Sequence, residues 1–279
     1  MSKKYIYIST RDYLVSKEKF DLEFDRDLDM LITIPKPHVD QLSKYYESDE
    51  YISHTDNNSG LINKLYQYVK SISIRQKVNL INLENKGAGN LLDIGAGTGD
   101  FLYGAEEKGW KIHGVEPNKR ASDVARQKGI NLENSLDKFN NQTFDVITLW
   151  HVLEHLPNLD DSINRINGLL KKDGTLIIAV PNYKSFDAKY YKEYWAAYDV
   201  PRHFWHFSKK SIEKIFCNEY KLKKIKPMYF DSFYVSLISE KYKSGLKFSI
   251  KAIFIGLLSN IRGIFTREYS SHIYILKKL

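Results

Sequence analysis

The chain has 279 residues, 43% apolar and 27% charged, with a formal net charge of +8; this supports a substantial core and excludes a disordered or collagen-like chain. A single cysteine, Cys217, excludes an intrachain disulfide framework and fits a reducing, cytoplasmic setting. The basic excess is confined to one end, since residues 219–279 hold 12 Lys or Arg against 4 Asp or Glu and the 218 before them balance at 30 and 30. The opening MSKKYIYIST has no apolar signal core, and no run approaches the roughly 20 apolar residues of a membrane span.

Residues 1–37 read as short strands and turns closing on Ile34-Pro35-Lys36-Pro37. Residues 38–86 read as a helical cap, as in LINKLYQYVKSISIRQKVNLI, with apolar positions three and four apart. The pattern then changes to strand, glycine-rich turn and helix, repeated. LLDIG is a buried strand, DFLYGAEEKG a helix stopped at Gly109, and KIHGVEP a second strand. NKRASDVARQKG is a helix with Asn118 as N-cap and Gly129 past its end. FDVITLW is a strand, and PNLDDSINRINGLLKKDG a helix opening on Pro157 with acids in its first turn. TLIIAVPN, KLKKIKPM and SHIYILKK are further strands, with an apolar and basic insert, 229–270, between the last two. Such alternation predicts an α/β fold with a parallel sheet covered on both faces.

The turn from Asp93 to Gly99 reads D-x-G-x-G-x-G. A phosphate-cradling G-x-x-x-x-G-K-[ST] is absent because no Lys follows Gly99. The dinucleotide spacing G-x-G-x-x-G fails too, since its third glycine falls on Asp100 or Leu102. Glu116 ends the next strand 17 residues after Gly99, placed to accept from both hydroxyls of a ribose.

These stretches resemble class I S-adenosylmethionine-dependent methyltransferases. LLDIGAGTGDFL matches the first motif, GVEPN the second, FDVITLWHVLEHLPN the fourth and LLKKDGTLIIAVPN the strand after it, over residues 45–279. The resemblance implies a Rossmann-like, doubly wound sheet of seven strands, the last antiparallel, with an N-terminal cap and a helical insert before the last strand. It implies S-adenosyl-L-methionine as cofactor. Asp93 then anchors the turn and faces the methionine amino group, while Gly95, Ala96, Gly97, Thr98 and Gly99 line that moiety. Glu116 holds the ribose, Pro117 lies beside the adenine, and Asn134, Ser135 and Leu136 flank its ring. Leu149, Trp150 and His151 close over the sulfonium end, and Tyr51 and His54 touch the cofactor.

Methyl transfer needs an in-line approach, and a hydroxyl acceptor is helped by a base with a near-neutral pKa. Two histidine groups fall at the expected mouth: His151, Glu154 and His155 in HVLEH, then His203 and His206 in DVPRHFWH. His203 is the candidate base, His155 a second candidate, and Arg202 a holder for an acidic substrate group. The competing readings are a satisfied hydrogen bond under the helix start for His155 and a structural turn with an Asp199–Arg202 pair for the second group. A Glu-x-x-Glu-His pattern with later histidines, as in metal-dependent small-RNA 2′-O-methyltransferases, is only partly matched, because His151 stands where the first Glu would; no metal is expected. Aromatic residues crowd 183–207, which reads as a lid for a flat or apolar acceptor or as the core of a small cap.

At the start, TIPKP resembles the stretch after a zinc ribbon in related bacterial methyltransferases, but Asp25 and Leu28 fill the cysteine positions and no zinc can be ligated. The segment 1–37 is thus a degenerate ribbon, 38–86 a cap, and 87–279 the methyltransferase domain. In 241–267, Lys243, Lys247 and Lys251 recur every four residues opposite Ile250, Ile253, Phe254, Leu257, Leu258, Ile261 and Phe265, in a helix or helix pair broken near Gly256 or Ser259. Such a segment either packs on the fold or lies on an anionic inner membrane surface. The expected reaction is O-methylation of a small or lipid- or glycan-linked metabolite. The alternatives are an RNA methyltransferase, for which no recognisable RNA module is present, and a cofactor-binding protein without turnover.

Overall fold

The computed structural model describes residues 4–46, 61–140, 142–246 and 248–279. Tyr51, His54 and Lys247 lie outside the described residues. Strands β1 (Tyr5–Arg11), β2 (Lys19–Asp25) and β3 (Met30–Ile34) form an antiparallel meander. A 3-10 turn at Val39–Tyr45 and helix α1 (Leu61–Asn85) make up the described cap. The alternating region runs β4 (Asn90–Ile94), α2 (Asp100–Glu106), β5 (Lys111–Val115), α3 (Lys119–Gln127), β6 (Phe144–Trp150), α4 (Leu159–Leu169) and β7 (Leu170–Pro181). Then come α5 (Phe186–Tyr191), β8 (Trp205–His206), α6 (Lys209–Phe216), β9 (Tyr220–Pro227), α7 (Asp231–Ser244), α8 (Ile250–Thr266) and β10 (Ser271–Lys278).

The main sheet has the order β5-β4-β6-β7-β10-β9. Its first four strands are parallel, and β10 runs antiparallel between β7 and β9. Leu91 and Leu92 of β4, Ile147 and Leu149 of β6, and Leu176 to Val180 of β7 are all buried, the unbroken apolar runs that a sheet covered on both faces requires. The chain turns outward from β4 to β5 on one side and reaches β6 on the other, so a crevice opens at the carboxyl ends of these strands.

Several boundaries differ from expectation. Six strands pair among the described residues rather than seven; at the edge, Glu133 makes a single bridge to Val115. The chain is diverted there by Ser135, whose hydroxyl accepts from Asp137 N and starts a 3-10 turn. Helix α4 opens on Leu159, one residue after Asn158, and Pro157 stays outside it. It stops at Leu169, because buried Leu170 pairs with Phe144 of β6 and draws the chain into the sheet. The ladder then jumps to Val146 against Thr175, leaving Lys171 to Gly174 as a bulge in β7.

The insert is a helix pair, and its break is at Gly245 (φ +76), which caps α7. Helix α8 passes unbroken through Gly256 and Ser259. A Cβ at Gly256 would lie 2.9 Å from Phe233 Cα, so this glycine lets the two helices touch. Ser259 is buried and donates to Asp187 Oδ1 at 2.6 Å.

The N-terminal segment is not an independent unit. Its sheet has the order β1-β2-β3-β8, completed by a strand from beyond the main sheet's fourth strand. Where a ribbon would carry cysteine, Asp25 Oδ1 accepts from the amides of Asp27 (2.9 Å) and Leu28 (3.0 Å) and closes the turn. The aromatic stretch 183–207 is core more than lid. Tyr191, Trp195, Tyr198, Phe204 and Phe207 are buried, and Trp195 Nε1 donates to Asp187 Oδ2 at 2.7 Å.

Arg202 closes this assembly at 1% exposure. Its Nη2 donates to Asp12 Oδ1 (2.9 Å) and Asp199 Oδ1 (2.6 Å), and Nη1 to the Tyr45 carbonyl (2.9 Å). Burial alone would raise the carboxyl pKa of both acids, but the guanidinium outweighs it and holds both below the usual range. Arg202 is therefore spent on the fold, and the expectation that it holds an acidic substrate group is corrected. Arg202→Met should lower stability by about 3–5 kcal/mol, because two buried carboxylates lose their counter-charge; a urea unfolding midpoint within error of the parent would refute the assignment.

Candidate active site

The glycine turn is built to admit something close to the backbone. Gly95 N and Ala96 N both donate to the Val115 carbonyl, at 2.8 and 2.9 Å, tying the turn to β5. Gly97 has φ +54, and a Cβ there would meet nothing within 4 Å, so the turn borders open space. Gly95 (φ +71) is constrained instead, because its Cβ would lie 2.4 Å from Val152 Cγ2.

Two carboxylates flank the turn. Glu116 Oε2 accepts from Gly97 N and its Oε1 from Asn118 N, each at 2.8 Å. Those bonds fix the carboxylate across the end of β5 and leave lone pairs for hydroxyl donors. Asp93 is buried on β4 and accepts from Thr148 Oγ1 at 2.6 Å. Burial raises its pKa to about 7, partly offset by Thr148 and by Lys77.

Lys77 of α1 was not found by sequence reasoning. Its Nζ lies 4.4 Å from the centroid of the Trp150 ring, and its charge is felt by both Asp93 and Asp231. Burial lowers its pKa against those acids. No sequence signal distinguishes it from the other lysines of an amphipathic helix. Asp231, the first residue of α7, was missed for the same reason.

His151 follows β6 at φ +58, and its amide donates to the Ala179 carbonyl at 2.9 Å. Its Nε2 lies 3.1 Å from Asp231 Oδ2 and its Nδ1 3.4 Å from Glu154 Oε1. Burial works against the charged ring, but the two acids outweigh it and raise the pKa to about 10. His151 is thus an imidazolium that binds the insert to the mouth of the sheet.

Behind it, Glu154, His155 and His203 come within one cluster, each with a potential ligand atom inside 4.8 Å of the others. The imidazoles of His155 and His203 meet edge to face at 4.4 Å. His155 Nδ1 lies 3.1 Å from the Arg202 carbonyl, and His203 Nδ1 lies 2.9 Å from the Ala197 carbonyl. Burial and the neighbouring His155 hold His203 well below the usual histidine range, so it is a neutral ring and a weak proton acceptor. His206 is lowered to about 3 by burial, its Nε2 lying 3.0 Å from Thr33 Oγ1.

The sequence-derived residues therefore divide. Asp93, the 95–99 turn, Glu116 and Trp150 gather around the opening, with Leu149 buried behind Trp150 on the same strand. Pro117 and Asn134 are exposed beyond Glu116, and Ser135 and Leu136 begin the adjoining turn.

Comparison with known proteins bears on the family and the fold. A family profile described as a methyltransferase domain matches residues 50–225. An uncharacterized methyltransferase from Alkaliphilus oremlandii is 28% identical over 114 residues, covering 38% of this chain and 52% of that protein. A ubiquinone biosynthesis O-methyltransferase from Actinobacillus pleuropneumoniae is 29% identical over 131 residues, covering 40% and 56%. The chain thus spans about half the length of the curated relatives it matches. Magnesium protoporphyrin IX methyltransferase from Synechocystis, with bound S-adenosylhomocysteine, superposes at a TM-score of 0.53 and 15% identity, covering 86% of this chain and 94% of that one. That likeness is one of fold.

The His151 assignment is open to titration. Its ring resonances should still report a protonated imidazolium at pH 8, and Asp231→Asn should lower the midpoint from about 10. A parent midpoint near 6.5 would mean that the acids do not hold the ring.

Proposed function

The chain belongs to the methyltransferase-domain family, and on that premise we propose that it transfers the methyl group of S-adenosylmethionine to an oxygen of a small, lipid-linked acceptor. The observation that carries the donor assignment is the Glu116 carboxylate fixed beside the open face of Gly97, with Asp93 at the base of the same turn. Those residues fit the donor's three parts. Glu116 holds the ribose hydroxyls, with the adenine between Pro117 and the Asn134–Leu136 segment. The 95–99 turn and Asp93 take the methionine backbone, and the ammonium of Lys77 is the counter-charge for its carboxylate. Trp150 borders the sulfonium, where its face offers cation–π stabilisation.

The bound donor supplies a methyl carbon on a positively charged sulfur. The protein's part is to align that carbon with the acceptor and keep water away, which accounts for much of such a rate enhancement. His203 is buried beside Trp195, Ala197 and Trp205. Its lowered pKa makes it a poorer general base than the sequence led one to expect.

The oxygen acceptor is supported by the relatives named as ubiquinone biosynthesis O-methyltransferases. The lipid link is supported by α8, whose outward face is bare. Ile250 (77% exposed), Ile253, Phe254, Leu257, Ile261, Ile264 and Phe265 (82%) lie on it. Lys241, Lys243 and Arg262 stand nearby, while the acids Asp231 and Glu240 are turned inward to His151 and Lys251. No described helix is long and apolar enough to cross a membrane; an apolar face with a basic rim suits the surface of an anionic bilayer.

Calorimetric titration should give micromolar S-adenosylmethionine and S-adenosylhomocysteine binding and none for NADH. Glu116→Ala should weaken both by about 1–3 kcal/mol, the worth of a charge-assisted hydrogen bond; an unchanged Kd would remove the ribose assignment. The protein should co-sediment with phosphatidylglycerol vesicles and not with phosphatidylcholine ones, and Phe254→Ser with Phe265→Ser should abolish this. Failure to sediment with the anionic vesicles would remove the lipid-linked reading and leave the donor site intact.

A further inference from the structure

We infer that the acceptor enters the crevice directly from an anionic bilayer, because Tyr229 and Phe230, just before α7, carry the apolar face of α8 to the rim of the site. The inference rests on the lipid-linked reading above and adds to it the direction of entry and the residues that meet the membrane. Asp231 stands at the rim, 3.1 Å from His151 Nε2, and His151 directly follows Trp150 at the end of β6. The two residues before Asp231 are bare: Tyr229 is 53% and Phe230 42% exposed. Tyr234, one turn further on, is exposed as well.

These side chains continue the α8 face. Asn260 Nδ2 of α8 donates to the Tyr229 carbonyl at 2.9 Å, and the Tyr229 ring meets Tyr269 edge to face at 5.5 Å. Leu257 and Ile264, three residues before Asn260 and four after it, share its side of the helix and are both exposed. The apolar strip therefore runs from α8 through Tyr229 and Phe230 to the residue beside the ion pair at the site. Tyrosine at its inner end suits the headgroup level, where one part of the ring is apolar and the hydroxyl stays wet.

Charge selects the occupant. Residues 229–270 hold six Lys or Arg against three acids, and each acid is spent within the fold: Asp231 on His151, Glu240 on Lys251 and Glu268 on Lys209. Lys243 lies toward one end of the strip, and Arg262 and Arg267 toward the other. An apolar strip with cations at both ends matches an anionic headgroup layer above hydrocarbon.

The sheet order gives the two substrates separate entries. Strand β5, which ends at Glu116, forms one edge, and β9, which leads into α7, forms the other. Pro117 and Asn134, assigned to the adenine, are exposed on the β5 side. The water-soluble donor and its thioether product pass there, while the acceptor keeps its apolar chain in the bilayer. A chain drawn into water would lose the transfer free energy of every methylene, and an entrance at the membrane surface avoids that loss. The lipid also keeps bulk water from the crevice.

Site-directed fluorescence tests the contact. With the one native cysteine, exposed Cys217, changed to Ser, a nitrobenzoxadiazole label is attached to Phe230→Cys, Phe265→Cys or, as the control on α2, Tyr103→Cys. Phosphatidylglycerol vesicles carrying a doxyl-lipid quencher should remove about half or more of the emission at 230 and 265, since an interfacial helix seats its apolar face about 5–10 Å into the headgroup boundary. Emission at 103 should be unchanged. Retained S-adenosylhomocysteine binding reports folding, and Tyr229→Cys replaces Phe230→Cys if that variant loses it. Quenching at 265 without quenching at 230 would overturn the entry from the bilayer and leave the lipid-linked reading standing. Quenching at neither would remove both. Equal quenching at all three positions, or a blue shift at 230 that grows with protein concentration before vesicles are added, would also overturn the inference, the latter in favour of a second copy of the chain.

Discussion

A guanidinium enclosed by carboxylates decides where the mouth of this protein stands. Arg202 bonds to Asp12 in the first turn of the chain, to Asp199 three residues before it and to the Tyr45 carbonyl in the cap. Asp12 in turn accepts from the amides of Leu14, Val15 and Ser16, so the meander cannot move without releasing that charge. On the other side, the carbonyl of Arg202 orients His155, and the next residue, His203, is held from behind by Ala197. Phe204 N then donates to the Glu154 carbonyl at 2.8 Å, and Thr33 N to the Phe204 carbonyl at 3.0 Å. A buried ion pair adds little net stability because desolvation offsets its attraction. What this one contributes is position: remove it, and three segments distant in sequence lose their common reference.

Across the crevice the charges alternate. Asp93, Lys77, Asp231, His151 and Glu154 succeed one another as acid and base, each felt by the next. Such a row lowers the cost of burying charge, because each member has an opposite neighbour. His151 is shared between two acids and lies closer to Asp231, at 3.1 Å, than to Glu154, at 3.4 Å.

The parts legible in the sequence are those whose cause is local. LLDI followed by three alternating glycines marks a buried strand and a turn that small residues take, and Asn118 caps α3 through its own side chain, which accepts from Ala121 N. Glu116 was legible as a candidate because a strand end and a spacing single it out. The misread features are tertiary. Helix α4 ends early because Leu170 finds a partner on β6, which no window around Leu170 records. Gly256 looked like a helix breaker, and is a contact surface for Phe233. The ten aromatics of 183–207 gave no hint of which would be buried, since that depends on α5, α7 and α8 packing around them. Arg202 in DVPRHFWH had the composition of a substrate clamp; its pairing with Asp199 is local, but its second acid, Asp12, lies 190 residues away.

The same geometry ties the helix pair to the chemistry. Helix α7 begins at Asp231, so the first residue of the insert is also the partner of His151 at the crevice. Helix α8 is bound to the sheet side by Ser259 on Asp187, the acid that also receives Trp195 Nε1 and Ser270 Oγ. Gly256 brings the two helices into backbone contact, so neither can shift alone. The apolar face of α8 and the charged contact between Asp231 and His151 therefore belong to one rigid helix pair. Tilting the pair outward would stretch the bond between Asp231 and His151 and separate two buried opposite charges. Because each of those steps is unfavourable, the energetics favour an insert that stays closed against the mouth and presents its apolar face outward.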